Sequence, residues 1–270
     1  MILLLVLCAF FLVWTPSAWA AFVSVGSFCT AQSKAGADPY IFTTTAGIQL
    51  DQNNLGIIVV AANNLTGTDG NNNEHVGITD AAGNTWTKAR EFTNGQGAAD
   101  AGVTVSVWYS KATANLPGSS NVTVDFSASI TAKAVTCWEF TMDAAQNVAL
   151  DGDADLANDG ADAGAITLSG LANIAHLWLR GTGAESATTT YTADADYTTF
   201  THTTSTTSGG GGATNIGARG EFRIFTGTGD TNDPTVSGAV DHASVLVALS
   251  EATPPVGPPL GSLAAIGVGR

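Results

Sequence analysis

The densest group of side chains that could do chemistry is an acidic segment between residues 151 and 162. It contains the aspartates Asp151, Asp153, Asp155, Asp159 and Asp162. Carboxylates spaced in this way on a loop can converge on one hard cation, because Ca²⁺ takes about six to eight oxygen ligands. Leu156 stands where a standard EF-hand loop needs glycine. We therefore predict a looser structural Ca²⁺ site, with a solvated acidic turn as the alternative and Asp69–Glu74 as a weaker second loop.

Aromatic and charged side chains share one face of a predicted strand, residues 173–181. Alternation gives this strand an apolar side facing the core and a second, mixed side. The mixed side carries His176, Trp178 and Arg180. On the strand at 102–109, the valines and Tyr109 face the core, and Trp108 lies on the opposite side. Exposed tryptophans can stack on sugar rings. With Arg223 from a later strand, these residues form a predicted glycan-binding face. The alternatives are that loops cover each Trp and that Arg223 forms a surface ion pair.

Motifs of common catalytic sites are absent from the sequence. It has no Gly-x-Ser-x-Gly elbow, no His-Glu-x-x-His and no phosphate-binding loop. The histidines His75, His176, His202 and His242 lie far apart, without metal-ligand spacing. A glycosidase needs only two carboxylates across a cleft, and nothing in the sequence singles out such a pair. We therefore predict no catalytic residues and a protein that is not an enzyme.

The N-terminal segment resembles a secretory signal. An apolar run over Ile2–Val13 is followed by Ala18-Trp-Ala20, the small-x-small form that signal peptidase accepts. The run is shorter than the roughly 20 residues of a membrane-spanning helix. We predict that residues 1–20 are cleaved and that the exported chain has no membrane span. If the segment is retained, it is an assembly element instead.

Cleavage of that segment would leave two of the three cysteines, Cys29 and Cys137. In an oxidising compartment they could form a disulfide. Two unpaired buried thiols are an equal alternative from sequence alone.

The composition describes an acidic globular protein. Nine basic residues stand against 23 acidic ones, for a net charge of −14, which argues against binding to nucleic acid. Only 12% of residues are charged and 44% are apolar, so the chain can bury a core and is not a disordered acidic tail.

Short alternating runs separated by Thr, Asn, Asp and Gly clusters predict an all-β protein. The short connections between the three runs within 102–142 predict that these strands are antiparallel neighbours. Residues 80–86 are predicted to form a compact hairpin turn, in which Gly83 can take a positive φ. We expect about ten strands in an antiparallel two-sheet sandwich, jelly-roll-like, forming one domain over 21–251. A split near 145–163 into two smaller sandwiches is the alternative. Residues 252–270 contain a proline-rich linker and a small-residue tail.

Several of these runs are similar to those of secreted or phage-associated bacterial β-sandwich proteins of jelly-roll or lectin-like character. The runs are Leu55–Val60, Ile78–Thr87, Val103–Tyr109, Val122–Phe126 and Ala243–Leu249. The resemblance implies attachment to a surface or a place in a particle, and no chemistry.

We expect a non-enzymatic, exported subunit, structural or adhesive, of a cell-surface or virion-associated assembly. Its partners would be other protein subunits or surface glycans. A carbohydrate-binding module is the alternative, and a polysaccharide hydrolase or lyase is less favoured.

Overall fold

The structure is a computed structural model that describes residues 22–158, 163–186, 190–201, 203–204, 215–236 and 240–252. Within these ranges the regular structure is entirely β-strand, paired antiparallel, so the prediction of an all-β antiparallel protein is confirmed. The two-sheet sandwich of about ten strands is not confirmed, because the strands lie in four sheets. The predicted signal at 1–20 and the tail from residue 253 lie outside the described residues. Among the residues that the structure describes, no helix is long and apolar enough to cross a membrane.

The first half of the chain builds two sheets. The five-stranded central sheet, in the order β1-β8-β3-β6-β5, consists of β1 (Phe22–Ser33), β3 (Leu55–Asn63), β5 (Thr87–Asn94), β6 (Val103–Lys111) and β8 (Lys133–Met142). The three-stranded sheet, in the order β2-β7-β4, consists of β2 (Tyr40–Thr43), β4 (His75–Asp80) and β7 (Asn121–Phe126).

The second half builds a six-stranded sheet and a two-stranded ribbon. The six-stranded sheet consists of β9 (Asn147–Asn158), β10 (Ile166–Ala184), β12 (Thr198–Thr199), β13 (Thr203–Thr204), β14 (Gly217–Asn232) and β16 (His242–Ala252). Its order is β12-β14-β10-β16-β9, and β13 also pairs with β14. The ribbon pairs β11 (Tyr191–Thr192) with β15 (Thr235–Val236).

Apart from the β5–β6 hairpin, each connection between consecutive strands of the first half leads from one sheet to another. From their spacing, the runs that became β6, β7 and β8 were expected to be neighbours in one sheet. Instead β7 pairs with β2 and β4, while β6 and β8 both pair with β3. Because stacked sheets lie only about 10 Å apart, a short connection can cross to the facing sheet as easily as turn back.

The predicted turn over residues 80–86 forms, but it too joins two sheets. Gly83 has a φ of 76°, which glycine adopts at no steric cost. The Asp80 carboxylate accepts hydrogen bonds from the backbone of Ala82 at 2.9 Å and from the indole of Trp86 at 2.9 Å. The turn therefore directs the chain from β4 in the three-stranded sheet to β5 in the central sheet.

The central sheet is buried on both faces. Every residue of β3 is buried, as a continuous apolar strand requires. Ile57 and Val59 point into a core shared with the six-stranded sheet. Ile58 and Val60 point into a second core, shared with the three-stranded sheet. The three sheets therefore stack as layers, with the five-stranded sheet in the middle.

The first of these cores joins the two halves of the chain. It contains Val105 and Val107 from β6 together with Leu179 from β10 and Val247 from β16. Because neither half buries this surface alone, we keep the prediction of a single domain over 21–251.

Glycine lets β10 approach the central sheet closely. A Cβ at Gly181 would lie 2.6 Å from Val107, and one at Gly183 would lie 2.7 Å from Val103. Both distances are closer than carbon atoms can pack, so a side chain at either position would force the two sheets apart.

A disulfide joins Cys29 to Cys137, so the bridge that the sequence left open is formed. The two residues are register partners on β1 and β8, with Cα atoms 5.0 Å apart. Both are fully buried in the core beneath the three-stranded sheet. The bridge fixes the edge strand β1 to the central sheet.

Replacing both cysteines should lower the free energy of unfolding. The bridge spans a sequence separation of 108 residues, and a loop of that size corresponds to about 5 kcal/mol in the chain-entropy model. Denaturant unfolding of wild type and of the Cys29→Ala/Cys137→Ala variant measures the difference. Adding a reductant should shift the wild-type midpoint and leave the variant unchanged; equal stabilities would contradict the assigned role of the bridge.

Candidate functional site

The face of the six-stranded sheet that carries Trp178 is covered, so the prediction of an open aromatic face is wrong here. Trp178 is fully buried and packs against Tyr197 and Ala248. Its indole stacks on Phe225 with ring centroids 5.4 Å apart. Leu168 and the segment around Tyr197 cover it from outside. The ring is therefore unavailable to a sugar.

Arg180, also predicted on that open face, is 1% exposed. Its Nη1 donates to the carbonyl oxygen of Gly164 at 2.8 Å and to that of Asn232 at 3.0 Å. Its Nη2 donates to the carbonyl oxygen of Ala163 at 2.8 Å and to Oγ of Ser244 at 3.0 Å. The guanidinium therefore cross-links the segment before β10 to the sheet below it.

Arg223 is the most accessible of the predicted ligand-binding residues, with its side chain 30% exposed. Its guanidinium lies 3.3 Å from Asp196 and 3.3 Å from Asp230, and it covers the ring of Phe225. Of the two roles that the sequence allowed, surface ion pair or part of an aromatic face, these contacts form the ion pair.

Trp108 lies in the interior because the three-stranded sheet covers its face of the central sheet. It is 3% exposed, and its indole N–H donates to Oγ of Ser106 at 2.8 Å. Oγ of Ser106 also lies 2.6 Å from Nδ1 of the buried His75. Burial lowers the pKa of His75, which favours its neutral form. The Ser106–His75 pair resembles a nucleophile and its base, but both residues are fully buried, so no substrate reaches them.

Glu74, at the end of the second oxygen-rich loop, binds the protein itself. Its carboxylate accepts from the backbone N–H of Leu65 at 2.8 Å and of Thr66 at 2.9 Å. It also accepts from Oγ1 of Thr104 at 2.5 Å. Oγ1 of Thr66 and the amide of Asn71 donate to it as well, so five protein donors hold this buried carboxylate and give it a structural role in folding the loop.

The predicted Ca²⁺ loop is partly strand. Asp151, Asp153 and Asp155 lie on β9, where they pair with basic residues instead of converging. Asp153 lies 2.9 Å from Nη1 of Arg90, and Asp155 also contacts that guanidinium. Asp151 lies 3.2 Å from Nε2 of the buried His176. Among the described residues no three acidic, His or Cys side chains form a metal-binding group.

Asp159 and Asp162, the remaining predicted Ca²⁺ ligands, lie outside the described residues. The three described aspartates contact Arg90 and His176, and the Ca²⁺ site stays a prediction.

A cleft of about 310 Å³ opens beside β5, but internal contacts occupy its charged groups. Lys88 in its wall donates to the carbonyls of Asn72 and His75 and to the Glu91 carboxylate, so all three ammonium protons are used. Arg90, also in the wall, binds the aspartates of β9. Lys88 and Arg90 are therefore already bound by protein acceptors and are poorly placed to bind a charged ligand.

A second cleft, of about 340 Å³, lies where β5 begins and β6 ends. It is lined by Thr85, Thr87, Tyr109, Ser110, Lys111, Asn147 and Val148. The Tyr109 ring is half-buried, while Thr85 and Asn147 are exposed. Burial raises the pKa of Tyr109, and a hydrogen bond with the Thr87 side chain opposes that rise. The cleft thus combines an aromatic ring with hydroxyl, amide and ammonium groups. The sequence did not indicate this site, because the alternation of the strand assigned Tyr109 to the core.

Two carboxyl groups meet at the end of the sheets where β10 finishes and β16 begins. Glu185 is 9% exposed and hydrogen-bonds to the side chain of Asp241. Burial and the Asp241 contact raise the pKa of Glu185 to about 7. Carboxyls in direct contact are closer than the roughly 5 to 9 Å of a glycosidase pair, so this arrangement does not support the hydrolase alternative.

Comparison of the chain with protein-family models, curated proteins and solved structures finds no match. The resemblance to secreted β-sandwich proteins therefore stays a prediction.

Replacing Arg180 by Met should destabilise the fold by about 3 kcal/mol or more, because buried carbonyls lose their donors. Arg223→Met is the matched control, since its partly exposed ion pairs should contribute under about 1 kcal/mol. Denaturant unfolding compares the two. Equal effects would mean that Arg180 does not hold the covering segment in place.

The carboxyl pair should make stability depend on pH. Because the pKa of Glu185 is higher in the fold than its ordinary value of 4.5, its contribution is fully present below pH 4.5 and is lost as pH rises through about 7. The loss is at most about 3 kcal/mol. Glu185→Gln should unfold with a flatter pH profile and be the more stable protein at pH 8.

Asp233→Asn, at an exposed position, is the control for that experiment. It should keep the wild-type slope of unfolding free energy between pH 4.5 and 7. If the unfolding free energy of Glu185→Gln changed with pH as steeply as that of wild type, the carboxyl pair would not be the cause of the pH dependence.

Proposed function

We propose that this protein is a non-enzymatic, exported structural or adhesive subunit of a cell-surface or virion-associated assembly. The observation that carries the proposal is the outer face of the three-stranded sheet, which exposes large apolar side chains. Ile41 is 56% exposed and Val76 is 59% exposed. We call this face the contact face.

The contact face is built by the same alternation that builds the core beneath it. Phe42, Val122 and Ile78 point inward and are buried. Between them, Ile41 on β2 is opposite Thr123 on β7, which in turn is opposite Thr79 on β4. The outward row is therefore an isoleucine followed by two threonines across the width of the sheet.

Such a row is suited to contact with another surface. Threonine and isoleucine are β-branched, so they lose little side-chain freedom when they are covered. The row itself carries no charge that would have to be desolvated, although the half-buried Asp125 lies two residues further along the same side of β7. The face is small beside the roughly 800 Å² that each partner buries in a standard interface, so adjoining loops would have to contribute to the contact.

The buried disulfide supports the export part of the proposal. Disulfides persist in secreted and surface proteins and are rare in the cytosol. The bridge is independent of any prediction about residues 1–20.

Ile41→Asp should weaken association with the proposed assembly about tenfold or more, because it places a charge at the most apolar position of the outward row, on the edge strand β2. The producing culture would be separated by sedimentation into cells, particles and free protein, and the protein quantified in each fraction. Wild type should accompany cells or particles, whereas the variant should shift to the free fraction.

Ile174→Asp is the matched control, because Ile174 is an equally apolar residue, 43% exposed, on β10 of the six-stranded sheet. It should fractionate as wild type does. Wild-type protein that stays free and monomeric in every fraction would overturn the proposal, as would equal behaviour of the two variants.

A further inference from the structure

We infer that the cleft between Tyr109 and Asn147, which we call the Tyr109 cleft, binds one sugar ring of a glycan. The inference does not depend on the proposed function. The cleft belongs to the side of the central sheet that faces the six-stranded sheet, and the contact face lies on the three-stranded sheet.

The ring of Tyr109 supplies a platform held in place from several sides. Tyr109 packs at the margin of the core between the central and six-stranded sheets. Its register partner on β5 is Thr87, whose side chain also hydrogen-bonds to it. An aromatic ring fixed in this way can stack on the apolar face of a pyranose without losing conformational freedom on binding.

Polar groups that remain available surround this ring. Lys111 donates two of its three ammonium protons, to the backbone carbonyls of Ala144 and Gln146, which leaves one donor. Its charge also interacts with the nearby Glu251 carboxyl, where it opposes the rise in pKa that burial causes. Asn147 and Thr85 are exposed and bring an amide and a hydroxyl to the wall. Neutral donors and acceptors with a single cation match the hydroxyl groups of a sugar better than they match an anion.

The cleft beside β5 differs from the Tyr109 cleft because its cations are already bound by the protein. There the Lys88 ammonium has three protein acceptors and Arg90 is paired with two aspartates. The cleft beside β5 keeps the exposed amides of Asn72 and Asn73, but no aromatic residue lines it, whereas the Tyr109 cleft has both a ring and polar groups.

Size and chemistry restrict the ligand further. A volume of about 340 Å³ lies at the small end of ligand pockets, which span about 300–1,000 Å³, and favours a single ring or a chain end. The lining residues include no Asp or Glu. Since glycoside hydrolysis needs a pair of carboxyls across the bond, the cleft would hold a sugar without cleaving it.

A glycan array probed with labelled full-length protein, followed by NMR titration with the methyl pyranoside of each retained sugar, tests the inference. Wild type should show saturable shifts at Tyr109 and Asn147. Tyr109→Ala should weaken binding at least tenfold, whereas Tyr109→Phe, which keeps the ring, should stay within a few fold of wild type. Asn147→Ala, at an exposed position that folding does not need, should weaken binding several fold.

Asn73→Ala, an exposed amide in the other cleft, should bind sugars as wild type does. Ile41→Asp should also bind them normally, which separates this test from that of the contact face. The inference is wrong if no pyranoside gives saturable shifts, or if Asn147→Ala and Tyr109→Ala both bind as wild type.

Discussion

The burial of the central sheet on both faces is the constraint on which the rest of the structure depends. A strand such as β3, apolar at Ile57 and Val59 on one side and at Ile58 and Val60 on the other, cannot leave either side in water. The hydrophobic effect therefore requires two covering layers, one on each face. Short sheet-changing connections in the first half build one layer, and the second half of the chain supplies the other.

Covering both faces turns polar residues into interior ones, and most buried polar groups in proteins then have a hydrogen-bond partner. Trp108 is covered by the three-stranded sheet and finds Ser106. Arg180 is covered by the segment before β10 and finds carbonyl oxygens there. From the sequence, these side chains were predicted to form a binding face. The alternation of a strand shows which residues share a side, but it does not show whether another layer covers that side. Contact with other molecules is left to the outermost surface and to crevices at the ends of strands.

The sequence predicts strands better than it predicts their partners. The runs at 55–62 and 102–109 became β3 and β6, and the valines of the second run face the core as expected, because period-two alternation is a local property. Trp108 on its other side was wrongly placed away from a core. Which sheet each strand joins depends on contacts between distant residues. The continuous apolar run of β3 was the one local sign that both faces are buried. The acidic residues of β9 were mistaken for a loop because their partner Arg90 comes from the opposite layer. The Tyr109 cleft needs Asn147, which β9 brings from another sheet, so no local pattern could indicate it.

The order of the layers also bears on how the two proposed surfaces would act together. Ile41 faces away from the stack, while Tyr109 lies at the margin of the core between the central and six-stranded sheets. The central sheet separates them and is stiffened by the Cys29–Cys137 bridge on the side of the contact face. A sugar in the Tyr109 cleft would therefore meet a different layer from a protein on the contact face. Because packed sheets deform little, occupation of one surface should leave the other unchanged. A subunit built in this way could be held in an assembly by one face while it binds a glycan with the other.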